Sequence, residues 1–423
     1  MLYIFSREFS KVQVPRVDCN KSILYLGFAL PSHIADEVSQ IDVVPHLATQ
    51  KFAWSVVRAL KSVYSSVLVI SSSDLRNFPA ARKVFFRTEM FYENGACGIA
   101  IGFINLLILK HVSRFFQVIF RVPSYIKKNS VDIILVHGSH TPYMFFAVFA
   151  KIIFRVPIVI LLTDAHGKQV ASDGRLGRVL RKIDTVLMKY VLGLFDAYVC
   201  LSPVFVSKFN LNPSLVVPGV LSGEHCELVA RVSSARFAMP TGEYDFRIVF
   251  AGAVREENGV DWLLAAFEEL KGMPISVQIY GGGELVQRVV DASSKDPRIA
   301  YGGILHGRDL VEALLSADIL INPRPIEEEF ARESFPSKLL EYMATGVPTL
   351  TTRIESIPSE IQNCFFYIDG HAPHELAESI KKVVALSEEE RLSKGKLAAE
   401  KVIALYSEKS FGMKVVELIN SLD

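Results

Sequence analysis

Residues 319–352 read ILINPRPIEEEFARESFPSKLLEYMATGVPTLTT, and how this stretch is read decides the fold. Ile319, Leu320 and Ile321 complete the apolar run LLSADILI, a short buried strand whose pairing Pro323 and Pro325 bring to an end. Arg324 therefore leaves the sheet at its carboxyl end, where open α/β sheets gather ligands. A helix is predicted from Pro336, with Leu339, Leu340, Met343 and Ala344 on one face and with Gly346 and Pro348 as its stop. The strand VPTLTT follows.

The charged residues of the stretch point to chemistry. Lys338 falls in the first helical turn, where the free N–H groups and the macrodipole favour negative charge and disfavour a cation. A lysine there implies an anion, and Lys338, Arg324 and the N–H groups together would hold a pyrophosphate. Glu333 lies in the entry loop and Glu341 on the second turn, roughly 10 Å or more further along at the helical rise. The two carboxylates can serve different parts of one elongated, phosphorylated and hydroxyl-rich ligand. The alternative is that both are solvated surface charges.

Outward from this stretch the same rhythm covers the chain. RIVFAG, ISVQIYG, ADILINP and VPTLTT alternate with helices at 260–271, 308–316, 336–345 and 373–405. Earlier, SILYLGFAL, SSVLVIS, DIILVHG, VPIVILLTD and DAYVCLS alternate with helical patterns such as QKFAWSVVRALKSV. Short buried strands alternating with helices predict an α/β protein with parallel, doubly wound sheets. A chain of 423 residues is too long for one ordinary core. The expectation is an N-terminal Rossmann-like domain over 1–223, a second over 224–405, and a final helix over 406–423, with the boundary near VVPGVLSGEH.

The net charge of +1 conceals a division: residues 1–223 carry 25 Lys and Arg against 13 Asp and Glu, a net of +12, and residues 224–423 carry a net of −11. So basic a half needs an anionic partner, and without aromatic and basic residues interleaved as in nucleic-acid modules, membrane or lipid phosphate is preferred to nucleic acid. The five cysteines are scattered and show no C-x-x-C spacing, which argues for a reducing compartment and against structural zinc. The N-terminus does not have the layout of a secretory signal. The apolar stretches 98–109 and 141–163 are not uninterrupted spans, and the second reads as a buried helix followed by a buried strand. Residues 175–192 place Arg178, Arg181, Lys182 and Lys189 opposite Leu176, Val179, Leu180, Ile183, Val186 and Leu187. That is a basic amphipathic helix, suited either to an anionic membrane surface or to a core with a solvated outer face.

Further candidates sit at other strand ends. His166 and Asp164 follow the strand VPIVILLTD, where an imidazole can orient or protonate groups between the domains; His137, His140 and Thr141, in HGSHTP, could meet an acceptor. Gly281, Gly282 and Gly283 form a tight turn after ISVQIY, too short for a dinucleotide fingerprint, which either lets backbone approach a ligand or is purely structural.

The segment 319–352 resembles the E-x7-E signature of retaining glycosyltransferases of the GT-B fold, glycosyltransferase family 4, and SFPSKLLEYMATGVPTL is similar to the branch that builds bacterial capsule, O-antigen and exopolysaccharide. The likeness extends through ILYLGFALP, VIFAGAVREENGVDWLLAAF and IYGGGEL. It implies two Rossmann-like domains facing across a cleft, with a C-terminal helix crossing back. It also implies transfer of a sugar, with retention and without metal, from a nucleotide sugar, by default a uridine diphosphate sugar. The acceptor would be a polyprenyl-pyrophosphate-linked glycan at the cytoplasmic face of the membrane.

Carried over by resemblance, Glu333 would bind the donor sugar and Glu341 the ribose, and His166 would approach the sugar, with Asp164 a further catalytic candidate beside it; Ser334, Phe335, Gly282 and Gly283 would line the donor. The family places an Arg and a Lys in the loop after the first strand of the second domain, but here those positions are Ala253 and Asn258. Asn258 reads instead as a helix N-cap with Asp261 three residues on. Arg255 could fold inward as a substitute, while Arg324 and Lys338 flank the pocket directly. A sugar-nucleotide epimerase of the same fold and a non-catalytic glycan-binding module are the alternatives.

Overall fold

The computed structural model describes residues 19–42, 47–163, 185–234, 246–326 and 332–422. His166, Asp164, Arg178, Arg181 and Lys182 lie outside the described residues. Among the described residues the chain forms two units, one of residues 221–407 and one of residues 19–220 joined by residues 408–422.

The first unit runs β1 (Cys19–Gly27), α1 (Ser32–Ile41), α2 (Leu47–Lys61), β2 (Tyr64–Ser71), β3 (Glu89–Glu93), β4 (Ala96–Ala100), α3 (Leu109–Lys128), β5 (Ile133–His137) and α4 (Thr141–Phe154). It continues with β6 (Ile158–Leu162), α5 (185–192), β7 (Ala197–Cys200), α6 (Pro203–Phe209) and β8 (Ser214–Val216). The strand order is β3-β4-β2-β1-β5-β6-β7-β8. β5 (IILVH) and β6 (IVILL) are buried at every position, as strands covered on both faces must be. The order reverses between β1 and β5, so the carboxyl ends at Gly27 and His137 flank the unit's switch point.

The sheet is not wholly parallel. β3 pairs antiparallel with β4 through Asn94 and Gly95, both at positive φ, the pair that a two-residue hairpin prefers. The stretch 141–163 folds as a helix and then a buried strand, α4 and β6. In α5 the apolar face differs from the sequence reading: Met188, Val191 and Leu192 are buried, whereas Val186 and Leu187 are 54% and 40% exposed.

The second unit runs α7 (Gly223–Ser234), β9 (Phe246–Ala251), α8 (Val260–Glu269), β10 (Ile275–Tyr280), α9 (Val286–Ser293), β11 (Ile299–Tyr301), α10 (Gly307–Leu315) and β12 (Ile319–Asn322). Then come α11 (Lys338–Thr345), β13 (Thr349–Thr352), β14 (Phe366–Ile368), α12 (Pro373–Val384) and α13 (Glu388–Tyr406). Its order, β11-β10-β9-β12-β13-β14, is parallel throughout. Both sheet faces are buried: Ile248, Phe250, Val277, Ile279, Ile319 and Ile321 join Val260, Leu263, Phe267, Leu376 and Ile380 of the helices in one core, and Val249 and Leu320, which point to the opposite face, are buried as well. The predicted helix over 373–405 is two helices. Ser387 and Glu390 form a capping box that satisfies the free N–H groups of a new start, so the chain turns between α12 and α13.

The last helix, α14 (Glu408–Asn420), returns to the first unit. It packs on α2, with Glu408 paired to Arg58 at 2.8 Å.

Candidate functional site

In the second unit β9 leads to β10 and β11 on one side, while β12 leads to β13 and β14 on the other. Connections therefore part at the carboxyl ends of β9 and β12, at Ala251–Gly252 and Asn322–Arg324, and leave a crevice of the kind that takes ligands in such sheets.

Helix α11 is fastened to that crevice by Tyr342. Its buried hydroxyl accepts from the Ala251 N–H and donates to the Ala251 carbonyl, both at 2.8 Å. On another side, His225 of α7 meets the Glu341 carbonyl at 3.3 Å. The loop after β9 closes against the exit of β12 at Gly259, where φ is +72° and a Cβ would lie 1.8 Å from the Pro323 carbonyl oxygen. Only glycine permits both the conformation and the approach.

The helix begins two residues later than the proline suggests. Leu339 N–H donates to the Pro336 carbonyl in a turn, and α11 starts at Lys338. Glu341 consequently sits in the first turn rather than the second, where a carboxylate complements the dipole. The second helix-start expectation also changes: Gly259, not Asn258, occupies the N-cap of α8, and the Asn258 amide donates to the Ala253 carbonyl at 2.9 Å. Asn258 thus closes the loop on itself.

Lys338 is the first residue of α11, and its burial differs along the side chain. The residue as a whole is partly exposed, but its ammonium is buried, lies 4.2 Å from the centroid of the Phe250 ring, and makes no hydrogen bond among the described residues. Gly252 lies against it, and a Cβ there would be in ordinary contact, 3.4 Å from Lys338 Nζ. Burial pushes the Lys338 ammonium down to about 7, and the nearby Arg324 guanidinium pushes in the same direction. Arg324 is itself buried, donates from Nη1 to the Ser334 carbonyl at 3.1 Å, and has its own pKa lowered by desolvation. Two desolvated cations thus stand together at a helix N-terminus, with the Glu257 carboxylate near enough to Arg324 to favour its charge, and such a pair suits an anionic ligand.

The remaining candidates fall around this pair or away from it. Glu333 and Phe335 are buried in the segment entering α11, with Ser334 between them. Arg255 is half exposed, with Nη1 3.4 Å from Glu257. Gly281 and Gly283 press on the loop after β9: added Cβ atoms would come within 1.8 Å of the Gly252 oxygen and 2.2 Å of the Val254 oxygen. Val254 N–H also donates to the Gly282 carbonyl at 2.9 Å, so the glycines stitch two strand-end loops together.

In the first unit His137 is 2% exposed, its Nδ1 is 2.5 Å from the Tyr25 hydroxyl, and burial pushes its pKa down to about 3. His140 precedes α4, with Nε2 3.2 Å from Arg114 Nη1, and desolvation and neighbouring cations hold it neutral. Thr141 is the first residue of α4.

Tyr342, His225, Phe250 and Gly259 are missing from the sequence reading. Tyr342 carried a faint signal, since it falls off the stripe of Leu339, Leu340, Met343 and Ala344 and so implies a second packed side.

The profile of the family described as "Glycosyl transferases group 1" matches residues 245–385, the β9 to α12 region that contains the crevice. A search of curated proteins finds no match. Among solved structures, sucrose-phosphate synthase from Thermosynechococcus elongatus is similar with a TM-score of 0.62 at 14% identity, covering 95% of this chain and 99% of that one. Anabaena HepE in complex with UDP has a TM-score of 0.61 at 13% identity, covering 95% and 100%; HepE is also described in complex with UDP-glucose. A glycosyltransferase from Rickettsia africae has a TM-score of 0.62 at 13% identity, covering 95% and 99%. At these identities the likeness is one of fold: the chain has the GT-B fold, two doubly wound α/β units with a final helix that returns to the first.

Proposed function

We propose that the protein is a retaining glycosyltransferase that takes a sugar from a uridine diphosphate donor bound in the crevice of β9, β12 and α11. The observation that carries this reading is the buried ammonium of Lys338, without a hydrogen-bond partner among the described residues, beside Arg324 at the start of a helix. A diphosphate matches that pair in charge and in hydrogen-bond acceptors. The family profile over the same residues and the UDP complexes of HepE support the choice of donor.

In this reading the leaving diphosphate gains negative charge as the glycosidic bond breaks, and Lys338, Arg324 and the free N–H groups of α11 stabilise that charge in place. They act without a divalent metal. Glu333 accepts hydrogen bonds from the donor sugar and orients its anomeric carbon, and Glu341 accepts from the ribose. The acceptor is a polyprenyl-pyrophosphate-linked glycan, as in the capsule, O-antigen and exopolysaccharide branch of family 4. The +12 charge of residues 1–223 suits a lipid phosphate at the cytoplasmic face of the membrane.

One observation favours a non-catalytic module of the same fold: Ala253 and Asn258 stand at the family's usual phosphate-gripping positions, and Asn258 spends its amide on the loop backbone. Turnover separates the readings. Glu333→Gln is expected to lower acceptor-dependent release of UDP by about a hundredfold or more with an unchanged melting temperature. UDP binding without release under any acceptor marks the module, and interconversion of the donor sugar without acceptor marks an epimerase.

A further inference from the structure

Helix α3 is apolar on the wrong side for a soluble surface. Its buried stripe opens with two cations, Lys110 and Arg114, before continuing as Val118, Val122 and Ile126. Lys110 donates to the Leu75 carbonyl and Arg114 to the Ser73 carbonyl, with the Arg114 guanidinium 4.0 Å from the centroid of Phe103. The outward stripe is Leu109, Val112, Phe116 and Phe120, with Phe120 76% exposed, and Leu107 and Ile108 precede it, about half exposed. These residues recur at helical spacing on one face, and the Phe116 and Phe120 rings stack with centroids 6.1 Å apart. The adjoining helix α4 adds exposed Ile152 and Ile153 near its end. A continuous apolar stripe of this kind marks an interaction surface.

The charge around the stripe selects the partner. Of the seven Lys and Arg in residues 101–163, Lys110 and Arg114 are buried behind the stripe and Lys151 pairs with Asp196 at 2.7 Å, which leaves four cations, against one acidic residue in the same stretch, Asp132. Arg121, Lys127 and Lys128 are exposed at the end of α3, and Arg155 is exposed just after α4. A second copy of the chain would oppose two faces of the same sign. An anionic bilayer accepts both features, apolar side chains at the headgroup and acyl boundary and cations among the headgroups.

We propose that the outward face of α3 is a membrane-inserting surface for anionic lipid bilayers, with Leu109, Val112, Phe116 and Phe120 entering the interface and Arg121 and Lys128 contacting lipid phosphates. The proposal rests on the lipid-linked acceptor reading for its purpose, since insertion there would bring the first unit to the surface that carries the acceptor.

The test is co-sedimentation of the full chain with phosphatidylcholine vesicles containing phosphatidylglycerol, with UDP binding measured on the same preparations. Wild type is expected to pellet, Phe116→Ser with Phe120→Ser to lose about tenfold or more in vesicle affinity, and Arg121→Glu with Lys128→Glu to weaken binding and its salt dependence. Wild type remaining in solution, or both double variants pelleting like wild type, overturns the proposal. So does a wild-type dimer that the phenylalanine substitutions turn into a monomer without affecting vesicle binding. UDP binding intact with vesicle binding absent sinks the membrane face alone; the reverse sinks the donor site alone.

Discussion

Lys338 is the residue on which the site turns, because its ammonium is desolvated beside another cation with no hydrogen-bonding partner among the described residues. A group in that position is a liability to folding and an asset to binding. Lys338→Met keeps the length and packing of the chain while removing the charge. It is therefore expected to leave the melting temperature unchanged or raise it, and to weaken UDP affinity by about tenfold or more, since hydrogen bonds to charged groups contribute about 1.5–3 kcal/mol. A lysine that merely held the fold together would give the opposite pair of results in a melting scan and a calorimetric titration.

The sign of the pH dependence follows from the same group. Its folded pKa of about 7 lies below the ordinary 10.5, so between these values the unfolded chain binds the extra proton and stability rises with pH. The cost of charging the buried group is full below about pH 7. The stability advantage of Lys338→Met should thus be largest in mild acid and shrink as pH rises from about 7 towards 10.5. Binding runs the other way: a diphosphate favours the charged lysine, so affinity for UDP-glucose should fall as pH climbs above neutrality, and this slope should be absent from Lys338→Met.

At the level of elements, the crevice depends on α11 being held at the end of β9. Tyr342→Phe removes both bonds to Ala251 and leaves its backbone N–H and carbonyl without that partner, a change expected to cost about 1–3 kcal/mol. Chemical denaturation monitored on the second unit would measure it. Gly259→Ala should be harsher, because the added methyl meets the Pro323 oxygen and the backbone is left-handed there.

These contacts also show what the sequence could and could not reveal. Arg324 and Lys338 were legible because prolines ended a strand and helical phase set the next turn, which are local facts. Tyr342 and Gly259 were not, since their partners Ala251 and Pro323 lie far away in sequence and no spacing rule links them. The division of the predicted helix over 373–405 was written in Ser387 and Glu390, and the β3–β4 hairpin in Asn94 and Gly95. The hairpin was obscured because β3 is largely exposed and lacks the apolar pattern of a buried strand.

Across the whole molecule, the final helix ties the end of the chain to its beginning. α14 buries Phe411, Val415, Val416 and Ile419, and its Glu408 pairs with Arg58. Truncation after Tyr406 would uncover the α2 face, so it should lower the unfolding temperature of the first unit and leave that of the second within error, as two transitions in a calorimetric scan. The first unit should also weaken in acid. Its His137 is held neutral down to about pH 3, so the unfolded chain takes up the extra proton below about 6.5, a loss approaching 1.4 kcal/mol per pH unit. His137→Phe should flatten that acid limb.

The central claim, that the crevice of β9, β12 and α11 is a nucleotide diphosphate site built on Lys338 and Arg324, is tested most directly by calorimetric titration of wild type and Lys338→Met with UDP. The account predicts saturable binding to wild type and an affinity at least about tenfold weaker in the variant. No binding to wild type, or equal affinity in the two proteins, would contradict it.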